Sequence, residues 1–316
     1  MNTKEEFVNS NQFIYTNIII GFFSFISSII IITLYLRKKE LKENNYTIFM
    51  CIAVSNLINS ITQFFGLILI NYQQSTINRK WYANTQRILN LMAEFSYVYY
   101  SLYYFYYIYA TINTFKKTHK YLYYIIICIF LFALFCSIFF VVAFNLYNND
   151  DSKIKNFNDL YLLNRLFSVD EVEKNGFFLI FYHILFIFPL IAYLIIINQL
   201  RSKLSQSLKE DEAKKIMFLK KIYDFIIFLL LYGILYLAIK FLYDIFEKIF
   251  YENILRREIY YLRVEYFFSF LINLLANSRG VIYFFIFLID DKVTKLLSEY
   301  IDKISIIHNF KKFLID

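Results

Sequence analysis

Long hydrophobic runs separated by shorter polar connections dominate the chain from residue 13 to residue 289. A helix that crosses a bilayer needs about 20 mostly apolar residues, whereas a strand of a membrane barrel needs only about ten. The length of the runs therefore favours helices, and the pattern predicts an all-α protein, an integral membrane bundle of seven helices. The predicted spans 1 to 7 cover residues 13–36, 46–70, 88–113, 121–147, 177–197, 222–243 and 264–289.

The composition supports a membrane protein over a soluble one. Hydrophobic residues make up 59% of the chain and charged residues 18%, whereas soluble domains are about half apolar and about a quarter charged. The sequence contains no linker, repeat or low-complexity segment, so we predict one membrane domain over residues 1–316. Cys51, Cys128 and Cys136 all lie inside hydrophobic runs, which argues against a disulfide between loops.

The distribution of Lys and Arg predicts the orientation. These residues are more frequent in the connections after spans 1, 3 and 5 and in the tail than in the other connections. Because basic residues accumulate on the cytoplasmic side, we expect an outer N-terminus and a cytoplasmic C-terminus. In the tail, Val293, Leu297, Tyr300 and Ile304 recur at steps of three and four residues. This spacing predicts an amphipathic helix over residues 291–314, lying on the inner leaflet.

Span 7 contains a cluster of polar residues that includes Asn277 and Arg279 and is followed by Gly280. A guanidinium within hydrocarbon is unfavourable by about 3 kcal/mol or more, so Arg279 must face protein or water. This requirement predicts that span 7 packs inside a bundle. Asp224, at the inner end of span 6, is the predicted partner, either in a two-state lock or in a permanent structural pair. The predicted inner polar network comprises Asn56, Asp224, Asn277 and Arg279.

Span 3 is unusually rich in tyrosine, with eight between residues 97 and 109. Tyrosine hydroxyls around a whole helix are poorly placed against lipid, whereas neighbouring helices can provide each one with a partner. We therefore predict that span 3 is the central helix of the bundle.

Polar residues of several spans lie near the predicted outer side, and together they form the default ligand-site hypothesis. For some of them a structural role is an open alternative. Lys240 and Asp244 are four residues apart and can pair with each other, and His183 can be a packing residue. The predicted ligand-binding residues are Gln63, Glu94, Tyr97, His183, Lys240, Asp244 and Glu265.

Catalytic and cofactor signatures are missing from the sequence. The three histidines have no metal-ligand spacing, and no phosphate-binding glycine loop or nucleophile motif occurs. A retinal protein would need a lysine in the last span, and residues 264–289 contain none. We therefore predict no enzymatic activity, no metal and no cofactor.

Residues near the end of span 7 carry a family resemblance. The chain has, in this order, Arg279-Gly280, Phe287 and Asp291-Lys292-Val293. This order resembles the Gln-Gly, Tyr-x-Phe and Glu-Val pattern of secretin-like and cyclic-AMP-receptor-like G-protein-coupled receptors. Arg279 stands where the family has Gln, and Phe287 where it has Tyr. The rhodopsin-like motifs of spans 3, 6 and 7 do not occur, nor does the usual cysteine at the top of span 3.

The resemblance implies a plasma-membrane receptor that binds a small extracellular ligand within the bundle and signals to a heterotrimeric G protein. Its cytoplasmic contact residues would be Lys116, Lys117, Lys214 and Lys215. Two alternatives stay open from the sequence: a transporter or channel subunit, and a structural membrane protein without a ligand.

Overall fold

A computed structural model describes residues 11–72, 79–114, 121–147, 184–185, 188–189, 191–192, 194–196, 198–199, 274–275, 277–288 and 290–303. These residues contain helices and connecting turns but no strand, so the all-α prediction is confirmed for the described part of the chain. The helices are α1 (Asn11–Arg37), α2 (Asn44–Tyr72), α3 (Arg79–Thr114), α4 (Leu122–Tyr147), α5 (Asn277–Leu288) and α6 (Asp291–Lys303), with a 3-10 turn at Lys39–Leu41 between α1 and α2.

Among α1 to α4, helix α3 differs most from its predicted span, because it begins at Arg79 whereas span 3 is predicted to begin at residue 88. The added segment, RKWYANTQR, is polar but contains no Gly or Pro to interrupt a helix. A hydrophobic pattern therefore locates an apolar run and not the first helical turn. Of the other predicted spans, residues 222–243 lie outside the described part, and span 5 is described only at positions between 184 and 199, all of them helical.

Two described segments, Ile18–Arg37 within α1 and Leu122–Val142 within α4, are long and apolar enough to cross a membrane. In α4 only 28% of this apolar segment is buried in the protein. Its outer surface includes Ile127, Leu131 and Phe135, each more than half exposed. A continuous apolar surface of this kind is unusual in contact with water and typical of contact with lipid. The two segments therefore indicate association with a membrane.

Helix α3 has neighbours on several sides. It packs against α2 and α4 along its length. The Tyr99 hydroxyl donates to the carbonyl of Leu185 (3.1 Å), and the Tyr100 hydroxyl donates to the carbonyl of Ile126 in α4 (3.0 Å). Ser101 and Tyr283 of α5 share a hydrogen bond of 2.8 Å between their hydroxyls. These contacts agree with the predicted central position of span 3, and they give buried tyrosine hydroxyls the partners they require.

Helix α6 is attached to the first connection of the chain. Asp290 caps the helix, because its Oδ1 accepts the backbone N–H of Lys292 (2.9 Å), while its Oδ2 accepts the Tyr46 hydroxyl (2.6 Å). Lys292 also forms an ion pair with Glu43 (2.8 Å). Val293 is fully buried in the protein. The predicted amphipathic helix is therefore present over Asp291–Lys303, and Val293 and Leu296 on its apolar side are buried in the protein.

We expect Asp290→Ala to loosen α6. The substitution removes the helix cap, which is worth about 1 kcal/mol, and leaves the Tyr46 hydroxyl without its acceptor. Hydrogen exchange of the α6 amides should accelerate at least fivefold, since 1 kcal/mol corresponds to about that factor. Asp290→Asn retains the capping oxygen and should exchange almost like the wild type. Equal exchange in all three proteins would contradict the role of Asp290 in holding α6.

Candidate functional site

The guanidinium of Arg279 lies between a carboxylate and an aromatic ring of α3. Arg279 Nη2 is 3.7 Å from Glu94 Oε1, and the two side chains are 3% and 15% exposed. Arg279 Cζ also lies 4.6 Å from the centre of the Tyr97 ring. Glu94 and Tyr97 are three residues apart and therefore share one side of α3. The site thus combines an ion pair and a cation–π contact in a buried environment.

Glu94 is predicted to belong to the outer ligand site, and Arg279 to a separate inner polar network. The short distance between the two groups shows that this separation is wrong for the pair. The expected partner Asp224 lies outside the described residues, and within the described part the carboxylate that faces Arg279 is Glu94. Depth estimated by counting residues along separate helices misplaces such groups, because helix tilt and relative height depend on packing.

Gly280 brings α5 into backbone contact with α1. Its N–H donates to Ser24 Oγ over 3.0 Å. A Cβ at position 280 would lie 2.6 Å from the carbonyl oxygen of Ser24, closer still to Ser24 Oγ, and 3.0 Å from Ser28 Oγ. Only a residue without a side chain fits here. The close contact fixes the position of the preceding Arg279 relative to α1.

Three contacts set the relative heights of the helices: Tyr35 with Thr47 between α1 and α2, Phe49 with Phe287 between α2 and α5, and Glu94 with Arg279 between α3 and α5. Counting along each helix from these contacts, at about 1.5 Å per residue, places a set of mostly buried polar residues within about 9 Å of one another along the helix axes, less than two turns. This buried polar layer comprises Ser24, Ser28, Asn56, Ser60, Glu94, Asn277 and Arg279.

A second group of buried polar residues joins α2 and α3 near one end of the helices. Gln86 Nε2 donates to the carbonyl of Thr62 (3.1 Å), and the Thr62 hydroxyl donates to Asn90 Oδ1. Arg87 is also buried, with 9% of its surface exposed. Gln86 and Arg87 are not among the predicted site residues, because they precede the predicted start of span 3. Their spacing with Asn90 and Glu94, at three and four residues, was the available signal.

A line of ring contacts connects the Arg279 site to the start of α6. The centre of the Tyr97 ring is 5.4 Å from that of Tyr283, which is 5.5 Å from that of Phe49. Phe49 stacks on Phe287 at 5.3 Å, and Phe287 meets Tyr46 edge to face at 6.3 Å. Tyr46 then donates to Asp290. We call Tyr97, Tyr283, Phe49, Phe287 and Tyr46 the aromatic column.

The structure brings together part of the predicted site. Glu94 and Tyr97 of the predicted ligand site contact Arg279, and Asn56 and Asn277 of the predicted inner network are buried at about the same height. Gln63 lies in α2. The remaining predicted residues lie outside the described part of the chain; they are His183, Lys240, Asp244, Glu265, Asp224, Lys116, Lys117, Lys214 and Lys215. In the described residues, no group of three or more His, Cys, Asp or Glu could hold a metal ion.

The site is interpreted from its own geometry, since no protein-family model matches the chain and no curated protein matches it. A buried guanidinium that contacts a carboxylate and a ring, as Arg279 does among the described residues, can exchange the carboxylate for another polar group. Such an exchange would move the side chains that contact it, and Tyr97 is the first member of the aromatic column. The contacts of Arg279 and the aromatic column thus form a continuous path from the ion pair to the beginning of α6.

Proposed function

We propose that this protein is a seven-helix G-protein-coupled receptor of the plasma membrane, with its N-terminus outside the cell and its C-terminus in the cytoplasm. It senses a small extracellular ligand within the bundle and signals to a heterotrimeric G protein. The aromatic column is the observation that carries this proposal. Its continuous contacts run from a buried ion pair to the beginning of a docked terminal helix, and such a path supports the proposal that a signal passes between these two places.

The first step of the proposed mechanism occurs at Arg279. In the resting state Glu94 and Tyr97 hold the guanidinium. A ligand that interacts with Glu94 or Tyr97 weakens this hold and favours a second position of Arg279 and of α5. The ligand shifts the population only by the difference between its affinities for the two states, and about 1.4 kcal/mol changes the ratio tenfold.

The second step occurs at the other end of the column. A shift of α5 moves Tyr283 and Phe287, and both rings contact Phe49. Phe287 also contacts Tyr46, whose hydroxyl holds Asp290 at the cap of α6. Movement of α5 thus releases or repositions α6, and opens a cytoplasmic surface that includes the predicted contacts Lys116, Lys117, Lys214 and Lys215.

Nucleotide exchange on purified G proteins tests the proposal without a known ligand. Full-length protein in lipid vesicles should stimulate exchange on at least one Gα class. Glu94→Gln, which weakens the hold on Arg279, should raise this ligand-independent exchange about fivefold per folded receptor. Adding Phe49→Leu should reverse the rise because it interrupts the column. Phe95→Leu is the matched control, since Phe95 is equally buried but stacks on Phe140 of α4.

Two outcomes would overturn the proposal. A tag at the N-terminus that is inaccessible on intact cells would contradict the orientation. Ion or solute flux through the vesicles, without exchange on any Gα class, would favour a transporter or channel subunit. If the N-terminal tag is accessible and nucleotide exchange is observed, a thermal-shift screen against small metabolites, including cyclic nucleotides, identifies the class of ligand.

A further inference from the structure

Three buried side chains carry polar atoms that have no hydrogen-bond partner within the described part of the chain. They are Ser28 Oγ, Asn56 Nδ2 and Ser60 Oγ. The residues are 0%, 2% and 1% exposed, so bulk water does not reach them. A buried polar group without a partner is unfavourable by an amount comparable to a lost hydrogen bond, and native proteins rarely leave three such groups unsatisfied. An additional partner is therefore required at these atoms.

Counted from the contact of Tyr35 with Thr47, the three side chains lie within about 9 Å of one another along the helix axes. Asn56 and Ser60 are four residues apart and share one side of α2. Ser28 Oγ lies 3.0 Å from the point that a Cβ of Gly280 would occupy. Gly280 directly follows Arg279 in the chain. The short connection between Arg37 and Asn44 makes α1 and α2 antiparallel. With Tyr35 in contact with Thr47, Ser28 lies at about the height of Asn56.

We propose that the buried polar layer binds internal water at Ser28, Asn56 and Ser60. The Asn56 amide donates to a water oxygen, and the two serine hydroxyls can either donate to water or accept from it. A cation is a poor occupant because the guanidinium of Arg279 lies at the same height, and an anion is a poor occupant because of Glu94. A water molecule can accept from the Asn56 amide and can donate to or accept from the serine hydroxyls, and it adds no charge.

Such a water site also affects Arg279 directly. A guanidinium that leaves one carboxylate needs another acceptor immediately, since an unpaired buried charge is strongly unfavourable. Bound water at the height of Arg279 provides that acceptor and would permit the side chain to move. The proposal does not depend on the receptor function, because it follows from the unsatisfied atoms alone.

The direction of a stability change tests the site. If water is bound, Ser28→Ala and Ser60→Ala each remove a water ligand and should lower the Tm of the full-length protein in detergent. If the site is dry, each substitution removes an unsatisfied hydroxyl and should raise the Tm. Ser55→Ala is the matched control, since Ser55 is also buried in α2 but donates to the carbonyl of Cys51 (3.1 Å). A raised Tm, or an equal decrease for Ser55→Ala, would overturn the proposal.

Hydroxyl-radical footprinting by X-rays gives an independent readout, because bound water produces radicals beside buried side chains. Tyr97 and Tyr283, near the layer, should be modified severalfold more than Phe95, which is equally buried in α3. Asn56→Leu should reduce the modification of both tyrosines without changing that of Phe95. Equal modification of all three would contradict bound water. A Tm that responds to sodium but not to choline would instead identify a cation and overturn the assignment.

Discussion

Gly280→Ala is expected to destabilise the protein by about 3 kcal/mol, the upper range for overpacking a tightly packed site. The new methyl group would lie 2.6 Å from the carbonyl oxygen of Ser24, far inside van der Waals contact. A backbone oxygen cannot rotate away as a side chain can, so α1 and α5 must separate. Separation also breaks the hydrogen bond from the Gly280 N–H to Ser24 Oγ. The measurement is the Tm of the full-length protein in detergent and its yield as a monodisperse species.

Gly21→Ala is the matched control for this prediction. Gly21 also lies in a helix, α1, and a Cβ at position 21 would meet no atom within 4 Å. Alanine is the better helix former by up to about 1 kcal/mol, so Gly21→Ala should be neutral or slightly stabilising. Adding Ser24→Ala to Gly280→Ala should restore only part of the stability, because the Ser24 carbonyl remains in place. A stable Gly280→Ala protein would show that α1 and α5 are not in backbone contact.

Glu94→Gln is expected to destabilise the folded state by about 3 kcal/mol, because it removes the carboxylate that contacts the buried charge of Arg279 in the described part of the chain. Arg279→Gln should have a similar effect, because it removes the guanidinium that contacts the carboxylate of Glu94. The double substitution should be much more stable than the sum of the single effects predicts, since neither charge is then left uncompensated. Denaturation of the four proteins, wild type, two single variants and the double variant, gives the coupling free energy directly. Additive effects would contradict the pairing.

The ion pair between Lys38 and Glu299 provides an internal comparison. Its atoms are closer, at 3.3 Å, but the side chains are 17% and 45% exposed. Water screens an exposed pair, so Glu299→Gln should change stability by less than about 1 kcal/mol. We therefore expect the longer pair to be the more important one. A larger effect at Glu299 than at Glu94 would show that burial does not determine the strength of these two interactions.

The two predictions concern neighbouring residues with different roles. Gly280 sets the distance between α5 and α1, whereas Arg279 sets the contact between α5 and α3. A variant at position 280 should therefore affect folding in either functional hypothesis, receptor or transporter. A variant of the ion pair should affect folding and, if the proposed receptor mechanism holds, nucleotide exchange as well. Measuring both quantities on the same preparations separates these contributions.

Several features of the candidate site were open to prediction from the sequence because they follow from local chemistry. A guanidinium in an apolar run requires a buried partner wherever the helix packs, and the structure places one beside Arg279. The tyrosines of span 3 require acceptors, and Tyr99 and Tyr100 have them. The periodic apolar residues after Asp290 indicated a helix, which is present at Asp291–Lys303.

The identity of each partner was beyond the sequence. Glu94 and Arg279 lie in separate predicted spans, and whether they meet depends on how far α3 is shifted and rotated relative to α5. Side chains from three or more helices set these quantities together, through non-local packing. The spacing of apolar residues in α6 likewise does not determine whether that side of the helix contacts lipid or protein.

Run length and polarity thus determined by themselves that the described chain is helical, that Arg279 must be buried with a partner, and that the tail contains an amphipathic helix. These properties depend on residues close together in the sequence. Only the tertiary structure decided that Glu94 contacts Arg279, that Gly280 touches the backbone of Ser24, and that five rings form a column to Asp290. Each of these contacts joins residues far apart in the chain, and their geometry arises only when the helices pack.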